Sequence, residues 1–226
     1  MVDVAFTPVG ARAADVAIVI DALRATSSIA EALAGGYRRV RCVATLEAAR
    51  TLAAPGRVLA GERHCLRPPG FDLGNSPADL VTPRGEELVL ATTNGAPAIV
   101  RAAALTPVVL VACLRNAAAV AAAVPAGADV QIVCAGTDGA PSVEDTYVAG
   151  RLVALLDRPG TDAALIAHAV TRAYPDPADA FAAGAGGRAL LDAGMAADIA
   201  WCAQESVLAV APFVHEAGEG FALVNS

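Results

Sequence analysis

The sequence contains no lysine, few aromatic residues and no long hydrophobic run among its 226 residues. It has 16 basic residues and 23 Asp and Glu residues, which gives a formal charge of -7. No basic cluster could follow a phosphate backbone, so binding to nucleic acid is not expected. The longest apolar run, residues 117–124, is far shorter than the ~20 residues that a membrane-spanning helix needs. Neither a nucleic acid nor a membrane is therefore expected as a partner.

Five cysteines occur at positions 42, 65, 113, 134 and 202, an odd number with no C-x-x-C pair. This pattern indicates reduced thiols rather than disulfides. Cys42 and Cys134 lie in apolar runs, so both are predicted to be buried and not to act as nucleophiles. The amino terminus, MVDVAFTP, has no basic segment followed by an apolar one, so no secretory signal is expected. We therefore expect a cytoplasmic protein.

Several catalytic motifs are also absent. The sequence has no G-x-S-x-G elbow, no H-E-x-x-H, no Walker A loop and no cysteine followed six positions later by arginine. The three histidines, at 64, 168 and 215, are scattered and offer no zinc cluster. Asp21 ends an apolar run as in aspartyl-phosphate hydrolases, but Leu23 stands where those enzymes have a second acid. That class is therefore the less favoured alternative.

Short apolar runs alternate with alanine-rich segments over the first two thirds of the chain. Six runs suit buried strands: 16–20, 40–43, 58–60, 88–91, 108–112 and 130–134. Between them, the segments 27–34, 45–54 and 116–124 end at glycine or proline, which is typical of helices. This alternation predicts an α/β fold with a mainly parallel sheet and helices on both faces. An outer strand at 2–6 is a further expectation.

The last third is predicted to be more helical. Helices are expected at 143–156 and 162–174, followed by a break at 175–179 and shorter helices up to residue 202. The run 183–187 is expected to be a flexible loop because it is rich in glycine. Late strands are expected at 207–214 and 221–224. No linker divides the chain, so residues 1–226 are predicted to form a single domain.

Polar residues follow the ends of five predicted strands. They are Asp21 and Arg24, Glu62 and Arg63, Thr92 to Gly95, Arg115 and Asn116, and Gly136 to Gly139 followed by Glu144 and Asp145. The stretch 58–77, VLAGERHCLRPPGFDLGNSP, adds Asp72, Asn75 and Ser76. Ligands bind beyond the carboxyl ends of the strands in open parallel sheets, so we predict a site at this edge.

These residues also have local interpretations. Asn116 suits a helix N-cap, Glu144 and Asp145 suit the first turn of a helix, and an arginine suits an ion pair with a neighbouring carboxylate. As a group they favour binding of an anionic phosphoester, with carboxylates holding Mg²⁺ while arginines neutralise the anion. The attacking group stays open between a Mg²⁺-bound water and Asp21 itself.

Motifs in a fixed order resemble the 2-phosphosulfolactate phosphatase (ComB) family. They are DALRATSSIAEALAGG, LAGERHCLRPPGFDLGNSPADL, ATTNGAPAI, LRNAAAVA, CAGTDGAPSVEDTYVAG and LLDAGMAADIAWCAQ. The resemblance implies a three-layer α/β/α fold and a Mg²⁺-dependent hydrolysis of 2-phospho-3-sulfolactate to 3-sulfolactate and phosphate, a step in coenzyme M biosynthesis. His64-Cys65 and Ala96-Pro97 depart from the family pattern. These departures bear on the identity of the substrate more than on the fold.

The resemblance also implies roles for matching positions. The implied catalytic residues are Asp21, Arg24, Glu62, Arg63 and Asp72. The implied substrate-binding residues are Asn75, Ser76, Thr93, Asn94 and Asn116, and the implied metal ligands are Asp21, Glu62, Glu144 and Asp145. The expected partner is a small anionic phosphoester, and association of identical chains stays open. Two alternatives are a phosphatase for another small phosphorylated hydroxy acid and a non-catalytic anion-binding protein.

Overall fold

The computed structural model describes all residues from Met1 to Ser226, and its strands form one sheet. The nine strands are β1 Val2–Ala5, β2 Val16–Ile20, β3 Arg39–Val43, β4 Arg57–Gly61, β5 Glu87–Ala91, β6 Val108–Ala112, β7 Val130–Cys134, β8 Phe213–Gly218 and β9 Phe221–Asn225. Their order across the sheet is β1-β7-β2-β6-β8-β9-β3-β5-β4. All six predicted inner strands are present, and the expected outer strand is β1.

Nine α-helices accompany the sheet. They are α1 Ala25–Gly35, α2 Leu46–Thr51, α3 Gly95–Leu105, α4 Ala117–Ala123, α5 Val143–Leu156, α6 Asp162–Ala173, α7 Pro177–Ala183, α8 Ala185–Asp192 and α9 Ala196–Cys202. Short 3₁₀ turns lie at Pro8–Gly10, Pro77–Leu80 and Leu114–Asn116. None of the helices combines the length and apolar character needed to cross a membrane. The predicted α/β fold with a mainly parallel, mixed sheet is confirmed.

The sheet consists of two parallel sets of strands joined by an antiparallel hairpin. Strands β1, β7, β2 and β6 are parallel to one another, and so are β3, β5 and β4. Between the two sets lie β8 and β9, the last strands of the chain. The pairing of β8 with β6 is confined to Phe213 and Leu110. The carboxyl-terminal hairpin therefore completes a sheet that the first 134 residues leave in two parts.

Both faces of strand β2 are buried. Ile18 and Ile20 belong to an apolar cluster with side chains from α4 to α9, whereas Ala17 and Val19 belong to a second cluster with side chains from α1 and α3. A strand covered on both faces has no solvent-facing position, so its sequence is apolar throughout. This is why the strands could be recognised as continuous apolar runs.

Several local features differ from the predictions. The expected strand at 207–214 is wrong over most of its length, because β8 begins only at Phe213. The segment before β8 instead bonds to the 3₁₀ turn after β6, because the Leu208 backbone N–H donates a hydrogen bond to the carbonyl of Arg115. Helix α2 ends at Thr51, three residues before the predicted end. Helix α3, with Pro97 in its first turn, was not predicted.

The glycine-rich run 183–187 is not a loop. Helix α8 begins at Ala185 and contains Gly186 and Gly187. A Cβ atom on Gly187 would collide with the carbonyl oxygen of Phe181 in α7. These glycines therefore serve close helix packing rather than backbone mobility.

Candidate active site

A cavity of about 260 Å³ lies where several strands end. Much of its polar lining follows β2, β4, β5 and β7, and includes Asp21 and Arg24, Glu62 and Arg63, Thr92 to Asn94, and Thr137 and Asp138. β2 and β4 stand six positions apart in the sheet, a separation of roughly 29 Å in a flat sheet. Because the residues after both strands line the same cavity, the sheet must curve around it.

The turn from β2 into α1 fixes Asp21 in the cavity wall. The Ala25 backbone N–H donates to the Asp21 carboxylate at 3.2 Å, and the Thr26 hydroxyl bonds both backbone groups of Asp21. A Cβ atom on Gly95 would lie 2.6 Å from the same carboxylate. A glycine is therefore required where the start of α3 approaches Asp21.

Asp145 and Glu144 lie in the first turn of α5 and are almost fully buried. The Asp145 carboxylate accepts hydrogen bonds from the backbone N–H groups of Ala22 at 2.8 Å and Gly136 at 2.9 Å. The Oε2 atom of Glu144 has no hydrogen-bond partner. A Cβ atom on Gly184 or Gly186 would collide with this carboxylate, so the start of α8 covers it closely.

Glu62 joins the segments that follow β4 and β5. Its Oε1 atom accepts from the backbone N–H of Thr93 at 3.1 Å and from the Thr93 hydroxyl at 2.7 Å. Its Oε2 atom accepts from the backbone N–H of Cys65 at 3.3 Å. The carboxylate thus holds two loops together at the cavity wall.

Burial, together with neighbouring negative charges at Asp21 and Glu144, raises the pKa values of the acids in this region. Burial and the negative charge of Asp145 raise the pKa of Glu144 to about 7. Burial and the charges of Asp145, Glu62 and Glu144 raise the pKa of Asp21, and burial raises that of Asp145. Like charges brought together without water are the usual cause of such shifts. A bound cation would stabilise these acids in their charged form.

The two predicted arginines differ in their surroundings. Arg24 is buried, and its Nη1 atom donates to Asp198 Oδ2 at 2.6 Å, while Nη2 donates to the carbonyl of Cys65 at 3.0 Å. Arg63 is half-buried and donates to the backbone carbonyl of Glu62 at 2.7 Å. It has no carboxylate within 4.0 Å. Arg24 therefore pairs with Asp198, not with Asp21 or Glu62, and Arg63 keeps its charge uncompensated.

Five predicted site residues do not line this cavity: Glu144 and Asp145, which are buried behind it, and Asp72, Ser76 and Asn116. Asp72 is exposed and accepts from the Leu59 backbone N–H at 2.8 Å, and it lines a neighbouring cavity of about 350 Å³ together with Ser76. Asn116 is fully buried and is engaged by the backbone of Cys113 and Val111. Asp72 and Asn116 each stabilise a turn through hydrogen bonds with the backbone, and this structural role explains why the two residues occur there.

Asn75 lies in the wall between the two cavities. Both cavities are lined by Arg24, Cys65 and Asn75. Asn75 is buried, and its Oδ1 atom has no partner. The predicted positions Thr93 and Asn94 line the main cavity as well.

The sequence interpretation missed the contribution of the last helices. Gly186, Ala189 and Leu190 of α8 line the cavity, and Asp198 of α9 bonds Arg24. The available signal was an acid at the centre of the alanine-rich segment MAADIAWCAQ. Only the packing of α9 against the turn after Asn75 reveals which group that acid meets.

No three His, Cys, Asp or Glu side chains are grouped closely enough to enclose a metal ion by themselves. Mg²⁺ does not require such a cage, because it keeps several waters and uses one or two carboxylates together with substrate phosphate. The unpartnered, buried Oε2 atom of Glu144, whose charge acts on Asp21, is compatible with this kind of site.

The raised pKa values predict how stability depends on pH. At neutral pH the folded protein binds more protons than the unfolded chain does, so stability falls as the pH rises through the folded-state pKa values. The unfolding temperature of the metal-free protein is therefore expected to decrease between about pH 6 and pH 8, around the pKa of about 7 for Glu144. Scanning fluorimetry in a chelating buffer would measure it, and Glu144→Gln should flatten the profile. A profile that rises with pH would contradict the prediction.

Comparison with known proteins shows the family to which the chain belongs. The sequence model of a family described as 2-phosphosulpholactate phosphatase matches residues 6–217. A protein of Thermus thermophilus named probable 2-phosphosulfolactate phosphatase is 40% identical over 206 residues, which cover 88% of this chain and 87% of that protein. A protein of the same name from Pseudothermotoga lettingae is 34% identical, with 94% and 95% of the two chains covered. The prediction from the motifs is confirmed, and the chain belongs to the 2-phosphosulfolactate phosphatase family, a family of phosphatases.

Proposed function

We propose that this protein is a Mg²⁺-dependent phosphatase that hydrolyses 2-phospho-3-sulfolactate to 3-sulfolactate and phosphate. One observation carries the proposal: Asp21 and Glu62 meet Arg24 and Arg63 at a single cavity, and the charges of the buried acids Glu144 and Asp145 act on Asp21. The names of the relatives at 40% and 34% identity support the same substrate. The product would enter coenzyme M biosynthesis, and the reaction would take place in the cytoplasm.

Asp21 and Glu144 would hold the metal ion, together with waters and substrate phosphate. When bound, Mg²⁺ supplies positive charge to the phosphoryl oxygens and to the attacking group. Asp145 and Glu62 differ from these two acids because both oxygens of each already accept backbone hydrogen bonds. Asp145 would fix the turns after β2 and β7 and add negative charge behind the site, and Glu62 would hold the segments after β4 and β5 together.

Arg24 and Arg63 would neutralise the anionic groups of the substrate. Guanidinium groups bind oxyanions through paired N–H donors, and each group serves one oxyanion well. Thr93 and Asn94, at the start of α3, would orient the substrate, because the first backbone N–H groups of a helix attract negative charge. A compact substrate with two separated negative charges suits this arrangement.

Two attacking groups fit the site, a water molecule and the Asp21 carboxylate. Attack by water leaves no covalent trace, whereas attack by Asp21 forms an acyl phosphate on the protein. Acid quenching during turnover of radiolabelled substrate separates these routes, since only the second gives labelled protein.

Phosphate release from a panel of phosphorylated acids tests the proposed function. With Mg²⁺, 2-phospho-3-sulfolactate should be hydrolysed faster than 2-phospholactate and phosphoglycolate, and a chelator should stop the reaction. Preference for a different acid would favour a related phosphatase, which His64 and Cys65 in the cavity wall make a specific second candidate. Tight phosphate binding without turnover of any substrate would favour an anion-binding protein and defeat the proposal.

A further inference from the structure

We propose that Asp198 is a positioning residue that sets the orientation and the effective charge of Arg24 in the cavity. The inference rests on the proposed function, since it gives Arg24 a phosphoryl group to bind. Asp198 lies in the first turn of α9, and its side chain is only 9% exposed. Its contact with the guanidinium is charge-assisted and short, which is the stronger class of hydrogen bond.

The donors of Arg24 show what this contact leaves free. A guanidinium has five N–H donors. Arg24 Nη1 contacts Asp198 at 2.6 Å and the sulfur of Met195 at 3.1 Å, and Nη2 donates to Cys65. The Nε–H and one N–H of Nη2 remain without a protein partner. These two donors are the ones left to bind an oxyanion.

Asp198 is itself held from the other side. The Ser76 hydroxyl donates to Asp198 Oδ1 at 2.7 Å, so the two carboxylate oxygens serve two different segments. An acid in the first turn of a helix often serves only the helix dipole. Partners on two other segments show that Asp198 does more than this.

The position of α9 is secured by a second cluster that does not touch the cavity. The guanidinium of Arg115 lies 4.8 Å from the ring centre of Trp201, and Trp201 Nε1 donates to Glu31 at 3.2 Å. Glu31 also pairs with Arg115. This cluster joins α9 to α1, the helix that begins directly after Arg24. Asp198 and Arg24 are therefore held at a fixed separation.

Replacing Asp198 with Asn separates charge from shape. The amide keeps the size of the carboxylate and can accept from Arg24 while donating to Ser76, but it no longer compensates the buried positive charge. Phosphate should therefore bind about tenfold more tightly. The kcat should fall about tenfold or more, because the guanidinium is held by a weaker, uncharged acceptor and the product leaves more slowly.

Titration calorimetry with inorganic phosphate and steady-state kinetics test this inference. The expected result for Asp198→Asn is a lower Kd for phosphate together with a lower kcat, a combination that general damage to the fold does not produce. Asp198→Ala should instead weaken phosphate binding and lower kcat, since it also removes the orienting acceptor. Thermal melts establish that each variant is folded.

Glu87→Gln provides the matched control. Glu87 is a buried carboxylate paired with Arg39, Arg41 and Arg57, and it begins β5 at the end opposite the cavity. The change should lower the unfolding temperature and leave kcat and the Kd for phosphate unchanged. Wild-type values in Asp198→Asn, or weaker phosphate binding in that variant, would overturn the inference. Absence of turnover in the wild type would instead defeat the proposed function, and the calorimetric comparison would still test Asp198.

Discussion

Replacing Asp21 with Asn is expected to lower phosphate release on the order of 10³-fold and to raise the unfolding temperature. The two effects have one cause. Asp21 is only 7% exposed. Burial raises its pKa most, and the charges of Asp145, Glu62 and Glu144 raise it further. The carboxylate therefore destabilises the metal-free fold. A destabilising carboxylate at this position is explained if catalysis requires it.

The Asn side chain isolates the charge from the packing. It has the shape of Asp, and its carbonyl oxygen can accept the same bond from the Ala25 backbone N–H. Without the negative charge, like-charge repulsion in the cluster is relieved, so the metal-free variant should melt a few degrees higher at pH 8. The variant should also lose most of the stabilisation that Mg²⁺ gives to the wild type.

Asp129→Asn is a suitable control for this measurement. Asp129 is an acid far from the cavity, and its hydrogen bonds with Arg12 lower its pKa. Its replacement should leave phosphate release unchanged and lower the unfolding temperature slightly. Normal turnover in Asp21→Asn would show that this carboxylate takes no part in the reaction. An unfolding temperature below that of the wild type would refute the account of repulsion.

Replacing Arg24 and Arg63 with Lys is expected to impair different kinetic constants. Arg24 is buried and held rigidly, so we expect it to contact the transferred phosphoryl group. Arg63 is more exposed and has no paired carboxylate, so we expect it to contact the distal acid of the substrate. Lysine keeps the charge in each case but loses the planar pair of donors.

The expected kinetics follow from these placements. Arg24→Lys should lower kcat about 10²-fold for every substrate, because we expect the contact with the phosphoryl group to be stronger in the transition state than with bound substrate. Arg63→Lys should raise the KM for 2-phospho-3-sulfolactate about tenfold, the effect of losing one charge-assisted hydrogen bond of about 1.5 kcal/mol. With 2-phospholactate, which lacks the sulfonate, Arg63→Lys should have little effect. Equal and small losses for both variants on both substrates would refute a division of labour between the two arginines.

Much of the fold could be predicted from the sequence because its signals are local. Strands such as β2 and β7 are buried on both faces and are therefore continuously apolar. The long helix α5 has the predicted bounds, Val143–Leu156. Errors arose where one local pattern suits two structures. The glycines of 183–187 favoured a loop, but the close approach of α8 to α7 requires them.

The site divides in the same way. Asp21, Arg24, Glu62 and Arg63 could be predicted to share an edge because each follows a strand of a mainly parallel sheet. Asp72 and Asn116 obey similar sequence rules, yet their oxygens accept backbone hydrogen bonds outside the cavity. Neighbouring residues alone do not show whether a polar side chain faces a cavity or its own turn.

The sequence by itself determined the α/β class, the buried strands and the family, because apolar alternation and ordered motifs are properties of the chain read locally. Only the tertiary structure decided the partners of the charged groups. The carboxyl-terminal hairpin joins two parallel sets of strands, the sheet curves to bring β2 and β4 to one cavity, and α9 places Asp198 against Arg24 across 174 positions of sequence. The physical reason is that ion pairing and pKa shifts depend on distances over a few ångströms and on burial, and chain separation specifies neither.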